Sequence, residues 1–375
     1  MAPQGPVKHV VLVIKENHTF DNYFGTFPGA NGDATLAHSP NPPTVTPGNR
    51  HQAWLNRAAD AVRQQYLESD IPAYFAYARQ FTLADNYFTE IASDSTPNHL
   101  MLIAADSPVI NNIPSSSPET FSIPSLPASL ESAGLTWGNY GGYAFAYIKP
   151  LAGKFNYPSA QFAKDAAAGN LPAVSWVYAP GGLSEHPLDN VTQGMSWTVA
   201  QVNAVVEGGL WPETAIFITW DDWGGYYDHV SPPQVEQWTD GTQFRYGSRT
   251  GCLALGPYAK GGHISSVLCS HVSLLKFCEE TFGVPALNSR DGNANGMDDC
   301  FDFTQKPAPP PASAKPRPQP TKPKPKPRPR RVSKSKPRAK PAGAGKGKPR
   351  IKVKKMKKPK RKPRTINPKP KGKPR

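Results

Sequence analysis

Two pairs of oxygen-bearing side chains in this sequence could bind a metal ion. They are Glu16 with Asn17, and Asp221 with Asp222, and each pair lies at the end of a short apolar run. Three carboxylates held close together repel one another unless a cation lies between them. Oxygen ligands suit a hard or borderline divalent ion, so we expect one ion of Ca, Mg, Mn, Fe or Zn. For either pair alone, the alternative is an ordinary acidic cap or loop.

A hydroxyl group that could act as a nucleophile lies between the two pairs. Ser95 stands just before an apolar stretch that predicts a helix. A serine at a helix start is often only an N-cap, but the same position stabilises an alkoxide and the oxygens of a phosphate. Asn98 and His99 follow within one turn and are candidates to contact those oxygens.

One loop histidine is a further candidate. His186, in "GGLSEHPLDN", follows the apolar run Val174–Tyr178 through a glycine-containing loop. An imidazole can donate or accept a proton near neutral pH. A single loop histidine is more often structural or exposed to solvent, so both interpretations stay open on the residues alone.

The elements that must position these residues alternate between strands and helices. Short apolar runs predict buried strands, and capped segments with helical spacing predict helices, which together indicate an α/β fold with a mainly parallel central sheet flanked by helices. Ligands of such sheets bind beyond the carboxyl ends of the strands, where both acidic pairs would lie. The predicted strands are Val10–Ile14, Val174–Tyr178, Thr214–Trp220 and Cys252–Leu255; the predicted helices are Asp70–Phe81 and Ser270–Gly283; and Asn31–Asn49 and Ser107–Ser125 are predicted to be long loops over the site.

Charge divides the chain into an acidic body, residues 1–303, and a basic tail, residues 304–375. The tail carries 29 of the 43 Lys and Arg residues and no Asp or Glu, which leaves 14 basic and 28 acidic side chains in the body. Repulsion between like charges and the many prolines predict a disordered tail. Such a tail could bind nucleic acid or an anionic membrane surface, or it could be only a solubilising appendage.

The remaining composition gives further expectations about cellular context. We see no signal peptide and no run long enough to span a membrane, so we expect a protein that is either cytoplasmic or shown here without its leader. The cysteines lack the Cys-x-x-Cys spacing of a zinc site and could be buried thiols or disulfides. They are Cys252, Cys269, Cys278 and Cys300.

Four stretches in this order resemble the phospholipase C/acid phosphatase phosphoesterase family of the alkaline-phosphatase-like superfamily: "IKENHTFDNYFG", "STPNHL", "LSEHP" and "DDWGGYYDHVSPP". The resemblance covers residues 7–303 and none of the tail. It implies a metal-dependent hydrolase of phosphate esters that acts through a phosphoserine intermediate. Some family members are secreted, so the resemblance leaves the location of the protein open.

The resemblance also implies roles for individual residues. Ser95 occupies the position of the nucleophile, and His186 and His229 match histidines expected around the phosphoryl group. Asp228 with His229 could alternatively tie its loop to the scaffold. The residues implied to bind the metal are Glu16, Asn17, Asp221 and Asp222.

Departures from the family pattern affect the choice of substrate more than the type of reaction. His18 and His99 stand where arginine is frequent, and Ser270 replaces the usual aspartate. The sequence therefore leaves open whether the substrate is a phospholipid or a phosphomonoester. A rival of another class is an inactive phosphoesterase-fold protein that binds nucleic acid or anionic membranes through its tail.

Overall fold

The computed structural model describes residues 5–114 and 119–312. The predicted tail from residue 313 onward lies outside the described residues. Residues 304–312, which the sequence assigns to the tail, are hydrogen-bonded to the body. Gln305 Nε2 donates to the carbonyl of Pro257 at 3.0 Å, and Trp211 Nε1 donates to the carbonyl of Ala308 at 3.0 Å. The described part of the body thus extends past the predicted boundary.

The central sheet of the described chain has eight strands. Its spatial order is β8-β2-β7-β6-β1-β5-β3-β4, and only β7 runs antiparallel to its neighbours. The predicted α/β fold with a mainly parallel sheet is therefore confirmed. The strands are β1 (His9–Lys15), β2 (Thr82–Ala84), β3 (Trp137–Tyr140), β4 (Asn156–Tyr157), β5 (Val174–Tyr178), β6 (Thr214–Trp220), β7 (Cys252–Leu255) and β8 (His263–Ser265).

Strand β1 sets the position of the site because it lies between β5 and β6. Leu12 pairs with Trp176 on one side and with Phe217 on the other, and both pairings are parallel. The apolar residues of β1 are almost fully buried, as expected for a strand covered on both faces. The carboxyl ends of β1, β5 and β6 consequently meet at one edge of the sheet.

Ten α-helices flank the sheet within the described residues. Residues of the longest helix, Val191–Glu207, and of the helix that begins at Ser95 form part of the hydrophobic core. The helices are α1 (Phe20–Phe24), α2 (His51–Leu55), α3 (Arg57–Asp60), α4 (Pro72–Gln80), α5 (Ser95–Ala104), α6 (Leu126–Ser132), α7 (Ser159–Ala167), α8 (Val191–Glu207), α9 (His271–Phe282) and α10 (Ser289–Gly292).

The two helices predicted from sequence are present with small differences at their ends. In α9 the hydroxyl of Ser270 forms a capping box, and Gly283 ends the helix with a left-handed φ of 66°. Helix α4 begins at Pro72, two residues later than predicted. Asp70 is not its cap, because its carboxylate accepts a hydrogen bond from the backbone N–H of Leu67.

The described residues also decide two points that the composition left open, the state of the cysteines and the presence of a membrane-spanning helix. All four cysteines are buried free thiols and none forms a disulfide. No helix among the described residues is long and apolar enough to span a bilayer.

A buried carboxyl group in α9 gives a pH-dependent prediction for stability. Glu279 is 3% exposed, and burial together with the Asp291 carboxylate raises its pKa from 4.5 to about 9. The folded state therefore holds a proton that the unfolded state loses, so this group weakens the fold as pH rises from about 4.5 to about 9. We expect Glu279→Gln to raise the free energy of unfolding by roughly 1–3 kcal/mol at pH 8 and to change it little near pH 4.

Urea unfolding at both pH values measures this effect. Glu280→Gln is the matched control, because Glu280 is 46% exposed and its ion pair within the described part of the chain is with Lys276. It should change stability by less than about 0.5 kcal/mol at either pH. A gain for Glu279→Gln that is equal at both pH values would show that the Glu279 carboxyl is not held neutral by the fold.

Candidate active site

The loops after β1 and β6 interlock at the carboxyl edge of the sheet. The backbone N–H of Asn17 donates to Asp221 Oδ1 at 2.9 Å, and the backbone N–H of Asp221 donates to the carbonyl of Lys15 at 3.0 Å. Asn17 has a left-handed φ of 63°. A Cβ atom on Gly224 would lie 2.1 Å from the Asn17 carbonyl oxygen, so the second loop requires glycine there.

Three side chains at this edge form a group that could hold a metal ion. Ligand atoms of Glu16, His99 and Asp221 all lie within 4.8 Å of one another. His99 Nε2 is 3.2 Å from Asp221 Oδ2 and 3.6 Å from Glu16 Oε1. The predicted pairs are thus brought together, and helix α5 adds a nitrogen donor that was expected only to contact phosphate.

Unpartnered buried atoms show that this group suits a cation. Asn17 Oδ1, Asp221 Oδ2 and His99 Nε2 are all buried, and none has a hydrogen-bond partner among the described residues. Buried polar atoms without partners are costly, so such a cluster calls for a ligand. A divalent ion would accept the lone pairs of all three atoms. The residues present therefore fit a metal ion.

The pKa shifts of the side chains at this edge also favour a bound cation. Burial would lower the pKa of His99, but the carboxylates of Asp221 and Glu16 outweigh it and raise that pKa to about 10. Burial would raise the pKa of Asp221, yet His99 and the Asn17 amide lower it, whereas burial and the Asp221 charge raise the pKa of Asp222. The acidic edge thus attracts positive charge, which agrees with a cation site there.

Ser95 is held against the second acidic pair. It is the first residue of α5, where Asp94 is the N-cap residue, so the plain N-cap interpretation of Ser95 is wrong. Its hydroxyl donates to Asp222 Oδ2 at 2.8 Å. Asp222 also accepts from the backbone N–H of Gly224 and from Asn49 Nδ2. Asp222 therefore contacts the hydroxyl in this structure and is not part of the three-residue group.

Asn98 braces the turn before α5. Its Oδ1 accepts from the backbone N–H of Ile91 at 2.8 Å, and its Nδ2 donates to the carbonyls of Ile91 and Asp94. These bonds use the side-chain amide of Asn98, which was expected to contact phosphate oxygens. Its contacts position the start of the helix that carries Ser95.

His186 lies on a loop fixed by its buried neighbour Glu185. Glu185 has a φ of 74°, and its carboxylate accepts hydrogen bonds from the side chains of Tyr23, Tyr74 and Trp220. His186 is partly exposed, and its Nδ1 lies 3.1 Å from the carbonyl of Pro187. Its imidazole has no hydrogen bond to Ser95 among the described contacts, so a role in proton transfer stays a prediction.

A buried ion pair joins this loop to β1 and leads to a stability prediction. Lys15 Nζ lies 3.3 Å from Glu185 Oε1, and both side chains are fully buried. We expect Lys15→Met to lower the free energy of unfolding by about 3–5 kcal/mol, because it leaves the Glu185 carboxylate buried without a cation. Lys8→Met is the control, since its pair with Glu213 is exposed and should contribute less than about 1 kcal/mol.

Chemical denaturation of both variants measures the difference. Equal losses for Lys15→Met and Lys8→Met would contradict the buried-pair account. A gain in stability for Lys15→Met would contradict it as well.

His229 is tied to the scaffold. Its Nδ1 lies 2.7 Å from Asp21 Oδ2, and its Nε2 lies 3.1 Å from Asn31 Oδ1. Asp21, Asp228 and His229 also have the spacing of a metal group, but the Arg249 guanidinium donates to both carboxylates there. These contacts favour the second of the two roles considered for His229, because an arginine already supplies the positive charge.

Three further residues reach the site without having been predicted. Asn49 contacts Asp222, and it ends a loop that the sequence did place over the site. Tyr178, the last residue of β5, and Tyr143 both pack edge-on against His99, with ring centroids 5.3 and 5.1 Å away. The position of Tyr178 at a strand end was a usable signal, because that is where ligands of such sheets bind.

Comparison with known proteins places the chain in a family. A sequence model described as the Phosphoesterase family matches residues 7–43 and 40–285, so the chain belongs to this family. The non-hemolytic phospholipase C of Pseudomonas aeruginosa is 26% identical in an alignment that covers 74% of this chain and 54% of that protein. This chain therefore spans about half the length of that relative.

A second relative is matched over more of its length. Phospholipase C A of Mycobacterium tuberculosis is 26% identical in an alignment that covers 80% of this chain and 78% of that protein. Among solved structures, the PsFucS1 sulfatase from Pseudoalteromonas sp. has a TM-score of 0.49 and 12% identity, covering 82% of this chain and 74% of that chain.

Proposed function

We propose that this protein is a metal-dependent hydrolase of phosphate esters, of the phospholipase C or acid phosphatase type. The observation that carries the proposal is the position of Ser95. Its hydroxyl lies at the start of a helix, 2.8 Å from Asp222 Oδ2, at the sheet edge that also holds the group of Glu16, His99 and Asp221. The names of the matched relatives, both phospholipases C, support the same reaction class.

The metal would be held by three of the four predicted residues together with His99. Glu16, Asn17 and Asp221 offer oxygens, His99 offers a nitrogen, and Asp222 lies on the Ser95 side of the set. A mixed oxygen and nitrogen set favours Mn, Fe or Zn over Ca or Mg. When bound, such an ion acts as a Lewis acid toward a phosphoryl oxygen and the serine hydroxyl.

The protein residues then have distinct parts in the reaction. Asp222 accepts the hydroxyl proton as Ser95 Oγ attacks phosphorus in line, and the bond from phosphorus to the alcohol oxygen breaks. The N-terminus of α5 favours the negative charge of the phosphoryl oxygens. His186 is our candidate to protonate the departing alcohol. Water then attacks phosphorus and gives a proton to His186, the bond from phosphorus to Ser95 Oγ breaks, and Asp222 returns its proton to that oxygen as the phosphate product leaves.

Steady-state hydrolysis by the full-length protein tests this proposal. The protein would be stripped with a chelator, reloaded separately with Mn, Fe, Zn or Ca, and assayed on p-nitrophenyl phosphate and p-nitrophenylphosphorylcholine. We expect hydrolysis that is lost on stripping and restored by Mn, Fe or Zn. Preference for the monoester would define a phosphatase, and preference for the diester would define a phospholipase C. Failure to cleave either ester with any metal would refute the proposal.

The charge of the tail favours a second function, binding to a polyanion. Residues 304–375 carry 29 basic and no acidic side chains, so they should bind DNA or anionic vesicles in a salt-dependent manner. Co-sedimentation with phosphatidylserine vesicles and gel shifts with DNA, at low and high salt, compare the full chain with residues 1–312. Binding that does not depend on the tail or on salt would refute this function. Tail-dependent binding without hydrolysis would support the inactive alternative.

A further inference from the structure

Arg50 lies close to Asp94, the residue before Ser95, and forms only a loose ion pair with it. The side chain of Arg50 is 72% exposed, and its only charged contact among the described residues is with Asp94, whose Oδ2 lies 3.8 Å from Arg50 Nε. Asp94 directly precedes Ser95. Asp94 Oδ2 is buried and has no hydrogen-bond partner in the described chain. At 3.8 Å the pair is a loose contact, so Arg50 is free to bind another anion.

The residues on either side of Arg50 are rigidly held, which fixes where its side chain can reach. Asn49 donates to Asp222 through Nδ2, and its carbonyl accepts from Trp223 Nε1 at 2.7 Å. His51 contacts the carbonyl of Ala92 through Nδ1 at 2.7 Å. The backbone at Arg50 is therefore anchored on one side to the second acidic pair and on the other to the segment that leads into α5.

The charge balance of the site calls for such a cation. Glu16, Asp94, Asp221 and Asp222 all present carboxyl groups at or beside the edge where an anionic phosphate must bind. A divalent ion offsets part of this charge, but a terminal phosphate carries two negative charges of its own. Burial raises the pKa of Asp94 to about 6 despite the nearby Arg50, which agrees with a weak hold of Asp94 on the guanidinium.

We propose that Arg50 is a specificity-determining residue that binds the non-bridging oxygens of the substrate phosphate. This inference rests on the proposed function. A guanidinium donates two parallel hydrogen bonds to a pair of phosphate oxygens. A phosphomonoester keeps more free oxygens and more charge than a phosphodiester, so Arg50 discriminates in favour of the monoester.

Kinetics of Arg50→Gln test the proposal against a matched control. We expect KM for p-nitrophenyl phosphate to rise about tenfold or more, while kcat changes less than about threefold, because the variant loses charge-assisted hydrogen bonds to the phosphate. The KM for p-nitrophenylphosphorylcholine should rise less. Arg50→Lys keeps the charge but not the paired donors and should fall between wild type and Arg50→Gln.

Arg57→Gln is the control, because it removes the same charge from the same segment. The Arg57 guanidinium stacks 3.5 Å over the Trp54 ring and donates to the Trp54 carbonyl. We expect this variant to keep both KM values. Equal effects of Arg50→Gln and Arg57→Gln would show general electrostatics and overturn the proposal, as would an unchanged KM in Arg50→Gln.

Calorimetric binding of inorganic phosphate to the manganese-loaded protein separates this inference from the proposed function. Weaker phosphate binding by Arg50→Gln than by Arg57→Gln supports the role of Arg50 even if wild type cleaves neither ester. Equal binding by both variants overturns it. If wild type hydrolyses an ester and Arg50→Gln behaves like the control, only the inference about Arg50 fails.

Discussion

Replacing Ser95 with alanine is expected to lower kcat for phosphate-ester hydrolysis by about a thousandfold or more, because alanine cannot form the phosphoserine. The fold should survive, since the Ser95 hydroxyl donates a single hydrogen bond, to Asp222, among the described residues. Initial rates on p-nitrophenyl phosphate or p-nitrophenylphosphorylcholine, whichever the wild type prefers, measure the loss. Metal content should stay close to wild type, because the group of Glu16, His99 and Asp221 is untouched.

Ser175→Ala is a matched control for this result. Ser175, in β5, is also a buried serine, and its hydroxyl has no hydrogen-bond partner among the described residues. Its loss should leave kcat within a few-fold of wild type. Normal turnover by Ser95→Ala, or an equal loss in both variants, would remove Ser95 from the chemistry.

Replacing Asp221 with asparagine is expected to weaken metal binding by about a hundredfold or more and to remove activity with it. Asparagine keeps an oxygen that can accept from the Asn17 backbone N–H, but it removes the charge at the position facing His99. Metal content after dialysis, measured by elemental analysis, and metal titration of the stripped protein report the change.

His229→Gln tests whether the effect belongs to one acidic cluster. The cluster of Asp21, Asp228 and His229 is neutralised by Arg249, so this variant should bind metal as wild type does. If His229→Gln lost the metal and Asp221→Asn kept it, the ion would bind at Asp21, Asp228 and His229, which would contradict the proposed site.

The sheet and the position of the site could be predicted because their signals are local. Val10–Ile14 and Thr214–Trp220 are apolar runs that only a strand buried on both faces explains, and both became central strands. Parallel neighbours end at the same edge, so the acidic residues after them had to meet there. The pairing of Leu12 with Phe217 fixes this alignment.

Side-chain directions could not be predicted because they depend on how distant segments dock. His99 lies close to Glu16 and Asp221 because α5 docks against the sheet, and the sequence contains no sign of how this helix docks. Asn98 was expected to contact phosphate, but its side-chain amide is hydrogen-bonded to the backbone of the turn before α5. Asn49 contacts Asp222 because of the path of a long loop, and a loop has no periodic sequence pattern from which its path could be predicted.

The stereochemical course at phosphorus tests the central claim most directly. A phosphorothioate ester of one configuration would be hydrolysed by the metal-loaded protein in isotopically labelled water, and the configuration of the product determined. Each in-line displacement inverts phosphorus, so attack by Ser95 followed by attack of water predicts overall retention. Inversion would mean that water attacks the substrate directly and would contradict a phosphoserine intermediate.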